Sequence, residues 1–174
     1  MGSNSTDNNF RKDENLLIKQ RKRVNLKDFD TCYTANFKNK EDAAEMLAKD
    51  IARLAELQDM LYAMNKYSLL VVIQAMDAAG KDGTIKHVMT GVNPQGCNVT
   101  SFKQPSVEEL EHDFLWRVNR AMPKRGMIAI FNRSHYEEVL VTRVHPEYIL
   151  GQNIPGIDTV DKVDKKFWQK RYEI

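Results

Sequence analysis

Leu69-Leu70-Val71-Val72-Ile73-Gln74-Ala75-Met76-Asp77-Ala78-Ala79-Gly80-Lys81-Asp82-Gly83-Thr84-Ile85 is the stretch from which the fold is read. Leu69 to Ile73 is apolar without alternation, the pattern of a parallel strand covered on both faces, and a helix pattern begins after Gly83. A loop so placed aims backbone N–H groups at an anion. Gly80 and Gly83 permit close approach or positive φ, the helix N-terminus adds partial positive charge, and Lys81 supplies an ammonium for terminal phosphates. The pattern departs from G-x-x-x-x-G-K-[ST], with Ala75 at the first glycine and Asp82 after the lysine. Asp77 is then the hard oxygen donor expected to reach a magnesium ion, directly or through water. Phosphoryl chemistry is the first expectation, against the blander reading of a turn with a solvated lysine.

Outward from this loop the chain alternates helix and strand. Ala44, Leu47, Ile51, Leu54, Leu57 or Gln58, Leu61 and Met64 recur at helical spacing, predicting one long amphipathic helix over 41–66 whose stripe packs on the core or on a second copy. After the loop, a helix from 83 to about 92 ends at Asn93-Pro94-Gln95-Gly96, and a second strand follows from Cys97 to Phe102. Ser106 and Glu109 form a capping box opening a helix that runs through Leu110, Phe114, Leu115 and Val118, closed by Pro123 and Gly126. Met127 to Phe131 is a third buried strand. The expected class is α/β, with a parallel sheet covered on both faces.

Ligands in such sheets bind beyond the carboxyl ends of the strands, so the segment after the third strand, Asn132-Arg133-Ser134-His135-Tyr136-Glu137-Glu138, is expected to converge on the loop. Arg133 would neutralise phosphate oxygens, and Glu137 and Glu138 would hold magnesium or accept a proton. A solvated helix start with acidic residues matching its dipole is the plain alternative.

Composition narrows the classes. The chain has 174 residues, 42% hydrophobic and 29% charged, enough for one core, and a net charge of +2 that does not by itself imply nucleic acid. Basic residues cluster at Arg11-Lys12 and Lys19-Gln20-Arg21-Lys22-Arg23; a polyanion track, with Lys103, Lys124 and Arg125, or a solvated arm are both open. No apolar run approaches the ~20 residues of a membrane span, and no signal-peptide core is present, so a cytoplasmic location without membrane partners is expected. Cys32 and Cys97 read as reduced thiols, and with His87, His112, His135 and His145 they make no zinc pattern. Residues 1–15 are polar and expected to fray as a flexible segment, with one domain over 16–174.

Three runs carry a family resemblance: Ala75 to Ile85, Gly91-Val92-Asn93-Pro94-Gln95-Gly96, and Phe131 to Leu140 closely resemble the polyphosphate kinase 2 family. The likeness spans about residues 20 to 174. It implies a P-loop kinase fold related to thymidylate kinase, a three-layer architecture, and transfer of phosphoryl groups between inorganic polyphosphate and AMP, ADP or ATP with Mg2+ or Mn2+. Homo-oligomers, dimers or tetramers, are common in the family. By matching motif, Asp77, Lys81 and the segment Ala78, Ala79, Gly80, Lys81, Asp82, Gly83 and Thr84 would hold phosphates and metal. Arg133 and Glu138 would act at the transferred group, with Glu137 beside them. The run Asn132 to Glu137 resembles the subgroup phosphorylating both mono- and diphosphates, in which Asp often stands where this chain has Glu138. The family continues past this length through another strand, an arginine-bearing lid helix and C-terminal helices, so the chain reads as a partial kinase domain. Rival readings are an ATP-dependent nucleoside monophosphate kinase and an inactive nucleotide- or polyphosphate-binding module; nucleic acid ranks below both.

Overall fold

The computed structural model describes residues 17–18, 23–34, 37–76 and 78–174. Most of the basic arm, from Arg11 to Lys22, and Asp77 lie outside the described residues. The chain divides into two compact units, Met1–Met46 and Leu47–Ile174.

In the first unit a 3-10 turn, Leu26–Asp28, is capped by Asn25, whose side chain accepts from the Lys27 N–H at 3.3 Å. Helix α1, Lys40–Met64, starts there: the Asn39 carboxamide oxygen accepts from the Asp42 N–H at 2.8 Å, satisfying one of the helix's unpaired N-terminal donors. Glu41 and Asp42 in its first turn match the helix dipole.

The second unit holds a three-stranded parallel sheet in the order β1-β3-β2, with β1 Leu69–Ile73, β2 Cys97–Ser101 and β3 Ile128–Asn132. Leu69, Val71 and Ile73 stand opposite Ile128, Ile130 and Asn132, and Cys97 and Val99 face the same β3 residues from the other side. The strand buried on both faces is therefore β3: Ile128, Ala129, Ile130 and Phe131 are all at most 3% exposed. For β1 the expectation fails on one face, since Leu69 and Val71 are exposed while Leu70, Val72 and Ile73 are half-buried. The reason is position: β1 has a strand on one side only among the described residues. The core gathers Phe102, Val118, Ala129 and Phe131, with the Phe102 and Phe131 rings edge to face at 4.8 Å.

Helix α2 runs Lys81–Val88, two residues earlier than its sequence pattern predicts, because Gly80 adopts φ +80° and the Thr84 N–H already bonds to the Gly80 carbonyl at 2.9 Å. The capping box is as expected. The Glu109 N–H donates to Ser106 Oγ at 3.2 Å and the Ser106 N–H to Glu109 Oε2 at 2.8 Å. The helix it opens is not continuous, however: α3 spans Val107–Leu110 and α4 spans Trp116–Arg120. Asp113 makes the break, its side chain accepting from the Leu115 N–H at 2.9 Å in competition with the helical ladder. Beyond β3 come α5 Glu137–Val144, α6 Glu147–Leu150 and α7 Lys165–Glu173, the last capped by Asp164.

Candidate phosphate and metal site

Parallel pairing brings the end of β3 beside the end of β1: the Arg133 N–H donates to the Ile73 carbonyl at 2.9 Å, and the Phe102 N–H to the Asn132 carbonyl at 3.0 Å. The chain turns sharply there. Arg133 sits at φ +65°, a left-handed conformation costly for a residue with a Cβ and one that persists where surrounding contacts fix it. Outside the strand ends lies a cavity of about 770 Å3 lined by Lys81, Asp82, Arg133, Glu137 and Glu138. These five sequence-derived candidates thus meet in one place, while Ala78, Ala79, Gly80, Gly83 and Thr84 do not line the cavity.

Lys81 is the first residue of α2 and only 6% exposed, so its side chain lies against the protein rather than waving in solvent. Ala78, Ala79 and Gly80 before it are exposed, as are Gly83 and Thr84. A Cβ built on Gly80 would meet nothing, so the requirement for glycine there is its positive φ. Thr84 turns its hydroxyl to the Gly80 carbonyl at 3.2 Å. Asp82 Oδ1 accepts from Asn132 Nδ2 at 2.6 Å, tying α2 to the end of β3.

The acidic pair is held differently at each member. Glu137 opens α5, accepts from Gln74 Nε2, and pairs with Arg133 Nη1 at 3.4 Å. Ser134, fully buried, donates its hydroxyl to Gln74 Oε1 at 3.3 Å and accepts from the Tyr136 N–H at 3.2 Å. Glu138 is 4% exposed and its Oε2 accepts from Gln152 Nε2 at 2.6 Å and from Arg171 Nη2 at 3.1 Å. Burial pulls the Arg171 guanidinium below its ordinary range, opposed by the attraction of Glu138 and then Asp113. Burial likewise lowers the His135 imidazole, whose Nδ1 is buried and unbonded.

The cavity lining carries Lys81, Lys103, Arg117 and Arg133 against Asp82, Glu137, Glu138 and Glu147, four charges of each sign. The lining is balanced in formal charge, so an anion held there would be held by the arrangement of the cations. Arg117, 8% exposed, donates to the Lys103 carbonyl at 2.8 Å and pairs with Glu109 at 3.5 Å.

Among the described residues no three His, Cys, Asp or Glu are grouped to hold a metal ion. Glu137 and Glu138 on the cavity wall are hard oxygen donors, the ligand type that magnesium takes one or two of, with substrate phosphates and water as the rest. Sequence reasoning gave no part to Gln74, Gln152 or Arg171. A polar residue directly after an apolar strand is a signal for Gln74, since strand ends face the ligand; Arg171 has none, lying 33 residues from Glu138.

Comparison with known proteins gives a consistent answer. The family model described as Polyphosphate kinase 2 matches residues 37–153. The chain is 47% identical over 161 residues to an ADP-polyphosphate phosphotransferase of Rhodopseudomonas palustris, covering 92% of this chain and 55% of that one. It is 48% identical over 151 residues to an AMP/ADP-polyphosphate phosphotransferase of Meiothermus ruber, covering 86% and 51%. The crystal structure of Polyphosphate Kinase 2 from Arthrobacter aurescens TC1 superposes with a TM-score of 0.73 at 39% identity, over 86% of this chain and 50% of that chain. The chain spans about half the length of the curated relatives it matches.

Proposed function

The chain belongs to the polyphosphate kinase 2 family, and on that premise we propose that it carries the phosphate- and metal-binding part of an enzyme moving phosphoryl groups between inorganic polyphosphate and AMP or ADP. The observation that carries this reading is the meeting of Lys81, Arg133, Glu137 and Glu138 on one cavity beyond the strand ends. Two relatives named for ADP and for AMP/ADP support the nucleotide class.

A nucleotide's terminal phosphate is already ionised, so in-line transfer needs no covalent protein intermediate; the site must align the two phosphates and neutralise charge. Lys81 holds a cation at the helix start, where backbone N–H groups also favour anions. Arg133, fixed by its strained backbone and by Glu137, presents a planar donor to equatorial oxygens. Asp77, Glu137 and Glu138 are the carboxylates that would hold Mg2+ or Mn2+, whose positive charge would offset that of the phosphates. A cytoplasmic, homo-oligomeric protein, dimer or tetramer, belongs to the same proposal. Exposed Leu47, Leu57, Met60 and Met64 along α1 support self-association.

A coupled assay with AMP or ADP, polyphosphate and magnesium, run on this chain beside its Rhodopseudomonas relative, tests the reading. Turnover that depends on polyphosphate and falls with Asp77→Asn and with chelator supports it. Turnover with ATP alone as donor would select a nucleoside monophosphate kinase, and tight binding without turnover would select a binding module.

A further inference from the structure

Glu138 is the carboxylate at the site that is most tightly constrained, and the constraint comes from residues to which nothing above assigns a part. Two donors from different places in the chain meet on one of its oxygens: Gln152 Nε2 at 2.6 Å, just past α6, and Arg171 Nη2 at 3.1 Å, on α7. The two donors also hold each other, Arg171 Nη2 donating to Gln152 Oε1 at 2.7 Å. The triangle is closed, with Glu138 and Arg171 4% and 8% exposed and Gln152 half-buried on the cavity wall.

Arg171 is itself fixed. Its guanidinium carbon lies 4.1 Å from the centre of the Phe114 ring and 5.5 Å from that of Phe167, so the plane is clasped by aromatic faces as well as by its hydrogen bonds. Both donors act on Oε2, which leaves Oε1 unclaimed by them on a side chain that lines the cavity. A carboxylate pinned at one oxygen has one rotamer and one oxygen to offer. Groups that hold a metal ligand from behind commonly set its geometry and basicity.

We infer that Arg171 and Gln152 are positioning residues that pin Glu138 Oε2, so that helix α7 presets the carboxylate for a metal–phosphate complex. This rests on the functional reading above, which gives Glu138 to that complex.

The test is binding rather than turnover: Mn2+ association with the chain in the presence of tripolyphosphate, read by electron paramagnetic resonance, on the whole chain and its variants. Glu138→Gln should weaken Mn2+ binding. Arg171→Met should weaken it on the order of 10-fold, as loss of a group behind a metal ligand typically does, and Gln152→Met to a smaller degree. In the Glu138→Gln background Arg171→Met should cost nothing further. An equal loss in both backgrounds would show that Arg171 supports the fold alone and would overturn the inference while leaving the site intact. Glu138→Gln binding as well as wild type would remove Glu138 from the site, and the inference with it. Circular dichroism checks folding. If Arg171→Met does not fold, Arg171→Lys, which keeps the charge but loses the planar fork, carries the same comparison, with a partial loss that must vanish in the Glu138→Gln background.

Discussion

Gly96→Ala looks innocuous in sequence, yet it should be among the most damaging single-methyl changes in this chain. Gly96 is not among the glycines with positive φ, so alanine is conformationally acceptable; by restricting the unfolded chain it would ordinarily add about 0.4–1 kcal/mol of stability. The obstacle is one side chain: a Cβ at this position would stand 1.8 Å from Gln58 Nε2 and 3.1 Å from its Cδ. Gln58 is 1% exposed and bonds twice to Asn93, donating to its carbonyl at 3.1 Å and accepting from its N–H at 2.9 Å. Moving the amide aside breaks both bonds, each worth about 1 kcal/mol net, and strands the buried Gln58 amide at about 1–3 kcal/mol, from which the gain of about 0.4–1 kcal/mol is subtracted; Asn93 is exposed and its backbone groups turn to water. The expected loss is therefore about 2–4 kcal/mol, or roughly 4–16 °C in Tm at about 2–4 °C per kcal/mol for a chain of this size. Urea and thermal unfolding followed by circular dichroism measure it. Gln58→Ala, which removes the colliding amide, should make the second change nearly free, a coupling between touching residues. A Gly96→Ala protein within about 0.5 kcal/mol of wild type, the range of an ordinary surface change, would refute the reasoning, as would simple additivity with Gln58→Ala.

Three further outcomes follow. Lys81→Ala should weaken tripolyphosphate binding and, in a catalytically competent form, lower turnover on the order of 10²-fold with circular dichroism unchanged, since a preorganised cation is lost at the phosphates; near-normal rates would end the loop assignment. Deleting residues 1–23 should raise the polyphosphate KM and flatten its salt dependence, because exposed charges act through a field screened over about 10 Å at 0.1 M salt, while nucleotide KM stays put; polyphosphate kinetics unaltered by the deletion at every salt would point to a solvated arm. For His135, burial lowers the folded pKa below its usual value of 6.5, so the unfolded chain takes up the proton first and stability is present above that value and lost as pH falls beneath it. Urea unfolding between about pH 7 and 5 should show a steeper loss for wild type than for His135→Gln; parallel curves would contradict the burial argument.

The sequence alone determined what is local. Strand, small-residue loop, lysine and helix follow each other within Leu69 to Ile85, and their order implies an anion site because backbone donors and a helix start are supplied by neighbours in the chain. The capping box at Ser106 and Glu109 and the turn at Asn93 to Gly96 were legible for the same reason: each closes over two or three residues. The parallel class followed from alternation of elements. Tertiary structure decided everything that depends on residues far apart in sequence. Burial of β3 rather than β1 on both faces depends on which strand lies in the middle, a property of pairing. Between Leu57 and Gln58 on the α1 stripe, it was the polar residue that was buried, because Asn93, 35 positions away, offers a backbone donor and acceptor to its amide. Helical spacing carried through Asp113 in sequence, but its side chain competes for the backbone and divides α3 from α4. The state of Glu138 was the least legible of all: its charge is written in the sequence, but the guanidinium that answers it comes from 33 residues onward, and only folding sets that distance.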